Sequence, residues 1–329
     1  MGGIILGAEK KIVFLNTHKP SPVDQATVNI IGVFSTKKAI TEQLITSIKD
    51  VTGVAAGDDV YKLLQACFNG GAKQVLVFGK VVTGNNYKDL FDSVKNDWFG
   101  TVTDETDLEK IALISKEIGA RQKMLFAEVK KDEDIMNSES KIKAIAEDTT
   151  ALFFNKNEEL TAVAVAGYTI PQFPGSVLIA NKLINGAVES GLIGAEQGVL
   201  DKNKANYVAR MKGQLGLANG VTVTGDPIDF IHCVKALQFR LEEDITLYLK
   251  ATPKPTFANV DPLKAIILDR CKQFERMKSL VEDKTVVDIV PLDEMPKNDI
   301  LNGVLTGVKI TVYYAYGIRE LSADLFFEV

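Results

Sequence analysis

Residues 58–78 read DDVYKLLQACFNGGAKQVLVF, and three physical signals follow one another along them. Asp58 and Asp59 offer carboxylates to the open N–H groups at the start of a helix. Val60, Leu63, Leu64 and Cys67 recur at i, i+3, i+4 and i+7, which puts them on one helical face. Asn69-Gly70-Gly71 supplies the glycine stop that ends the helix. Val75 to Phe78 (VLVF) is an uninterrupted apolar run and reads as a buried strand. A helix, a glycine stop and a buried strand, in that order, are the repeating unit of a layered α/β fold.

The same rhythm extends in both directions. Upstream, Val28 to Phe34 (VNIIGVF) reads as a buried strand and Leu44 to Ile48 (LITSI) as a second short one. Downstream, Asp104 to Gly119 reads as a helix ended by glycine, followed by a strand at Met124 to Val129. A charged loop, a short helix through Ile142 and Ala146, and a strand at Ala151 to Phe154 follow. Ala162 to Tyr168 is apolar and small, and the IPQFPG run after it breaks regular structure. Ala180 to Gly191 is open between helix and loop, and Tyr207 to Met211 between strand and short helix.

The pattern changes near residue 225. Asp226-Pro227 opens a helix from Ile228 to Leu249 with Ile231, Val234, Leu237, Leu241, Ile245 and Leu249 along one side. Asp261-Pro262 opens another, reaching to about Val281, with Leu263, Ile266, Ile267, Cys271, Phe274, Met277 and Val281 as its apolar set. Lys264, Arg270, Lys272, Arg276 and Lys278 form a basic stripe opposite, by default a solvated face. Val308 to Tyr316 is rich in β-branched and aromatic residues, as strands are. Beyond Gly317, Leu321, Ala323, Leu325, Phe327 and Val329 alternate with Ser322, Asp324 and Glu328, leaving Phe326 as the exception. A strand this apolar at a terminus needs a sheet to join, its own or a neighbour's. The expected organisation is an extended arm at 1–24, an α/β domain at 25–225, a smaller α+β domain at 226–317 and a C-terminal strand arm at 318–329. Ile12, Val13, Phe14 and Leu15 form the strand candidate of the first arm.

Composition narrows the chemistry. The 329 residues are 46% hydrophobic and 25% charged, ordinary for a globular chain of about two domains. No apolar run approaches the ~18 residues of a membrane span. MGGIILGAEKK places apolar residues before basic ones, the reverse of a signal peptide. Three cysteines without a pairing pattern fit synthesis in a reducing compartment. A net charge of -5 argues against nucleic acid as the main partner. Gly191 to Gly198 lacks the spacing of a dinucleotide loop and reads as a flexible loop. Ser176 lacks nucleophile-elbow spacing, and His18 and His232 sit in no activating motif. His232, Cys233 and Cys271 have no zinc-type spacing, so core packing outweighs metal binding. Asp104, Glu105 and Asp107 suit the positive end of the helix they open. No catalytic, cofactor or metal residue is expected, and no enzymatic activity.

Four stretches, in order, resemble the contractile tail sheath proteins of bacteriophages and of related phage-tail-like injection particles. They are VNIIGVF with LITSIKD; VYKLLQACFNGGAKQVLVFGK; AVAGYTIPQFPGSVLIANKLINGAV; and MPKNDILNGVLTGVKITVYYAYGIRELSADLFFEV. The resemblance covers nearly the whole chain, and the outer decorations of large sheaths are absent, so this is a compact version. It implies an α/β domain partly similar to the subtilisin fold but without its catalytic residues, and a smaller α+β domain facing the tail tube. It also implies terminal arms that cross to neighbouring subunits. On that basis Ile12 to Leu15, Leu321, Ala323, Leu325, Phe327 and Val329 are the inter-subunit arm residues, and Arg270, Lys272, Arg276 and Lys278 face the tube. The implied partners are further copies of the chain in stacked six-fold rings, the tail tube protein, and the baseplate and tail terminator proteins. Neither nucleic acid nor direct membrane insertion is implied. The implied place is the virion tail, assembled in the bacterial host cytoplasm. Alternatives are an α/β hydrolase-like enzyme, or a tube or baseplate component.

Overall fold

A computed structural model describes residues 27–317, apart from 132–134, 137–141, 143, 144, 158, 253–255 and 257–259. Both expected arms, 1–24 and 318–329, lie outside the described residues, as does most of the short helix expected through Ile142.

Among the described residues the largest sheet has six strands: β1 (Ile30–Ser35), β2 (Ile40–Ile45), β3 (Gln74–Gly79), β4 (Gly100–Thr103), β5 (Met124–Val129) and β6 (Thr150–Phe154). Their spatial order is β2-β3-β1-β4-β5-β6. Every pairing is parallel except β2 with β3, which makes β2 an antiparallel edge. Parallel strands are covered on both faces, so their residues are mostly apolar and alternate in which core they enter, with Thr101, Thr103, Glu128 and Thr150 buried among them. Ile31, Val33, Val75, Val77, Phe126 and Phe153 point to one side. Ile30, Phe34, Leu76, Phe78, Leu125 and Phe154 point to the other.

Helices α1 (Asp59–Gly70) and α4 (Thr161–Thr169) cover the first face; α2 (Lys88–Asp92) and α3 (Leu108–Ala120) cover the second. The stripe Val60, Leu63, Leu64, Cys67 is buried as its spacing predicts, and Gly71 ends α1 at φ 118. Asp58 does not cap the helix with its side chain. Its carboxylate takes the Ala55 N–H at 2.7 Å and pairs with Lys38 at 2.5 Å. α1 and α4 cross with their backbones in contact: a Cβ on Gly70 or Gly167 would lie within 3.0 Å of the other helix's backbone.

Several boundaries move. The second strand is Ile40–Ile45, not 44–48, because Ser47 caps a 3₁₀ turn at Ile48–Asp50. The helix expected from Asp104 begins at Leu108, with Asp107 accepting the N–H groups of Glu109 and Lys110. Gly191 to Gly198 is not all loop. Helix α5 (Gly194–Lys202) starts inside it, and the Ile193 N–H donates to the Glu196 carboxylate at 3.0 Å. Ala180 to Gly191 has no helix, and Tyr207–Met211 is strand β7, paired with β8 (Gln214–Ala218). Lys212 and Gly213 turn that hairpin, both at positive φ, the two-residue geometry that matches strand twist.

The C-terminal part is built from α6 (Ile228–Ala251), α7 (Asp261–Arg276), α8 (Lys297–Leu301) and the antiparallel strands β9 (Val286–Ile289) and β10 (Val308–Thr311). α6 enters two cores. Ile228, Ile231 and Ala236 pack under the large sheet, while Cys233, Leu237 and Leu241 meet Leu263, Ile267, Cys271 and Phe274 of α7. The second helix stops short of Val281. Lys278 turns left-handed at φ 61, and the Lys278 and Ser279 N–H groups return to the Glu275 and Phe274 carbonyls. Met277 and Val281, expected in the apolar set, are therefore exposed. Leu249 is exposed as well.

Candidate assembly surfaces

In an open α/β sheet, ligands bind at the carboxyl ends of the strands where the order reverses. Here that point lies between β1 and β4. It is occupied by the protein's own carboxylate. Asp104 accepts the Thr36 N–H at 3.0 Å and the Thr36 hydroxyl at 3.3 Å on Oδ1, and the Ser35 hydroxyl on Oδ2. Ser35 Oγ in turn accepts the N–H groups of Lys37 and Lys38, and Lys37 Nζ donates to the Asp104 carbonyl at 2.8 Å. Glu105 accepts the N–H groups of Thr106 and Asp107. The acids expected at the helix end thus divide: Asp107 caps α3, Glu105 holds the turn before it, and Asp104 closes the crevice.

Among the described residues, the histidine and the three cysteines are deep in the cores. His232 is buried against Phe99, with ring centroids 5.7 Å apart, and its Nε2 has no hydrogen-bond partner. Burial pushes its pKa down to about 3, so the ring is neutral. Cys67, Cys233 and Cys271 are free and buried, and desolvation raises all three thiols, Cys271 to about 12. Thiols held this far from the thiolate are inert. Among the described residues no group of three His, Cys, Asp or Glu could hold a metal ion.

The C-terminal part offers surfaces instead. β9 and β10 form a ribbon of two strands, continued by a bridge between Leu280 and Tyr314. One face is packed: Val287, Val312 and Tyr314 enter the core with α6 and α7. Among the described residues no third strand joins either long edge. The last described residues are anchored hard. Tyr314 Oη donates to the buried Asp229 carboxylate at 2.6 Å, the Val281 N–H reaches the Tyr313 carbonyl at 2.7 Å, and Phe230, Tyr314 and Tyr316 pack ring on ring. That anchor is not visible in the spacing of the sequence. The aromatic run Tyr313 to Tyr316 signals a strand, but its partner Asp229 lies 85 residues away.

Of the expected site residues, Ile12, Val13, Phe14, Leu15, Leu321, Ala323, Leu325, Phe327 and Val329 lie outside the described residues. The basic stripe is on α7 and its C-terminal turn, but it is not uniform. Arg270 is not a free surface cation: its guanidinium grips the Asp244 carboxylate of α6 with two bonds, at 2.7 and 2.8 Å, and this raises its pKa. Lys272, Arg276 and Lys278 are exposed and form no ion pair with described residues.

Among the described residues no helix is long and apolar enough to cross a membrane. Comparison with protein-family models and with curated protein sequences gives no match.

Proposed function

We propose that this chain is the structural subunit of a contractile tail sheath, which polymerises as a helical cylinder around a tail tube and contracts to drive the tube through a target cell envelope. The observation that carries the reading is the β9–β10 ribbon, with two strands, one packed face and, among the described residues, two unjoined edges. A sheet edge presents unpaired N–H and C=O groups, and an extended segment from another copy satisfies them while its alternate side chains find pockets. Residues 318–329 follow directly from the Tyr314 anchor, and their alternating pattern supplies such a segment. Leu325, Phe327 and Val329 are its apolar anchors, with Ile12 to Leu15 as the second arm.

Burying three such side chains gives roughly 5–9 kcal/mol gross. Fixing nine backbone residues costs on the order of 10 kcal/mol. One arm alone is near balance, so a template and a second arm decide cylinder assembly, and the free subunit forms no cylinders without them. A head-to-tail contact that does not close generates a helix, and contraction is a second packing of the same subunits with the arms still attached. The large domain suits the part of a sheath that resembles a subtilisin fold stripped of catalysis, since Asp104 fills the crevice that an enzyme of this layout keeps open. The partners on this reading are other copies in six-fold rings, the tube protein, and the baseplate and terminator proteins of a virion tail assembled in the host cytoplasm.

Deleting residues 320–329 is expected to leave a folded, soluble protein that forms no cylinders when co-expressed with tube and baseplate proteins. Electron microscopy of the product decides it. Wide striated cylinders from the truncated chain would overturn the reading.

A further inference from the structure

Two exposed patches at opposite ends of the β9–β10 ribbon have apolar centres and rims of opposite charge. The first is the turn after α7. Met277 is 45% exposed and Val281 38%; Arg276 and Lys278 flank Met277 in sequence, and the exposed Lys272 lies five residues before it on α7. The acids in the same turn are Glu282 and Asp283, with Lys284 beside them, and Asp269 lies about two turns before Met277. The second is the connection from β9 to β10. Leu301 is 83% exposed and Leu292 41%, with Asp293, Glu294 and Asp299 around them and Lys297 as the one cation from 290 to 307. Asp299 accepts the Thr306 hydroxyl at 2.9 Å, which leaves Asp293 and Glu294 as the acids most open to a partner.

The first patch leads into the start of β9 and the second leaves from its end, so a strand of about 13 Å separates them. We propose that these patches dock on each other between copies: the Met277 patch of one subunit receives the Leu292–Leu301 patch of the next, with Lys272, Arg276 and Lys278 facing Asp293 and Glu294. The occupant is a second copy of this chain because the complementary surface, apolar centre and opposite rim together, is present on the chain itself. Two different patches make the contact heterologous, so it propagates instead of closing as a symmetric pair. Charged rims of this kind set register and encounter rate, while the apolar centre supplies most of the contact's strength. The proposal rests on the reading that copies polymerise. It assigns these cations to the neighbouring subunit instead of the tube.

Charge reversal on the full-length chain tests it. One variant carries Lys272→Glu, Arg276→Glu and Lys278→Glu; the other carries Asp293→Lys and Glu294→Lys. Sedimentation velocity at low salt is expected to show wild-type self-association that weakens at least about tenfold in either variant and returns when the two are mixed. Raising salt should weaken the wild-type contact in the same direction. Single variants Met277→Glu and Leu301→Lys, each with an unchanged circular dichroism melt, repeat the test with minimal disturbance to the fold. Wild-type protein that does not associate, variants that associate like wild type, or a mixture that fails to recover each overturn the proposal. Loss of tube binding alone, with self-association intact, overturns it in favour of the tube. The 320–329 deletion separates the two claims, since it should abolish cylinders and keep the salt-sensitive pairing.

Discussion

Glu128 is the next-to-last residue of β5, with its carboxylate buried at the start of α4. Oε2 accepts the Ala162 N–H at 2.7 Å, but Oε1 has no partner. Desolvation raises its pKa from 4.5 to about 8, against the opposing pull of the Ala162 and Thr161 N–H groups and the Lys130 charge. The folded protein therefore keeps a proton that the unfolded chain loses. Below pH 4.5 both states are protonated and there is no penalty. From pH 4.5 to about 8 the unfolded state gains by ionising, so stability falls as pH rises through this window and levels off above it. Glu128→Gln reproduces the protonated acid at every pH. It is expected to melt close to wild type near pH 4.5 and to be more stable above pH 8 by on the order of a few kcal/mol, the linkage free energy of a carboxyl whose pKa is raised by folding. Urea unfolding at the two pH values checks this. A variant equally destabilised at both would show that the carboxylate is held ionised.

Between elements, the tightest fit is the crossing of α1 and α4, where Gly70 and Gly167 admit the opposing backbone. Helices brought this close have no side chain to shift aside, so a methyl group must push them apart. Gly167→Ala is expected to cost at least about 3 kcal/mol, at or above the ordinary range for overpacking. Gly198 in α5 is the control: a Cβ there meets nothing within 4 Å. Gly198→Ala should raise stability by about 0.5–1 kcal/mol through helix propensity alone. Chemical denaturation of both variants distinguishes a packing role from a propensity effect. The helix–glycine–strand unit at 58–78 was legible because local chemistry sets it: a stripe at helical spacing, then a left-handed glycine. The crossing was not, since AVAVAG shows only that its residues are small. The end of α7 was missed for a related reason. A lysine takes the left-handed turn at Lys278, and nothing in the apolar pattern through Val281 marks a stop. The Lys212-Gly213 hairpin and the Asp104 crevice depend on conformations and partners that the sequence leaves open. Strands β1, β3, β5 and β6 were readable from their apolar runs, whereas β4, with the sequence GTVT, carries no such run, and the polar edge strand β2 begins before the stretch expected for it.

At the scale of the whole molecule, α6 is the element that makes two cores answer to one another. One of its faces lies under the large sheet and the other against α7 and the ribbon, so the helix that opens just after the change near residue 225 is shared by both cores. Removing support on one side should be felt on the other. Ile267 is fully buried in the α7 core, and Ile267→Ala there is expected to cost about 2–5 kcal/mol. The single tryptophan, Trp98, lies in the far core beyond the sheet, tilted against Phe78 and Phe91 with Lys123 over its ring. If α6 couples the cores, Trp98 fluorescence and far-ultraviolet circular dichroism will follow one transition in wild type and in Ile267→Ala, both displaced to lower temperature together. Should the Trp98 transition stay in place while ellipticity is lost early, the C-terminal part unfolds independently. On the proposed sheath reading, a force applied through the arms would then be absorbed by melting the ribbon, whereas a single coupled transition would let the subunit move as a rigid body when its neighbours shift.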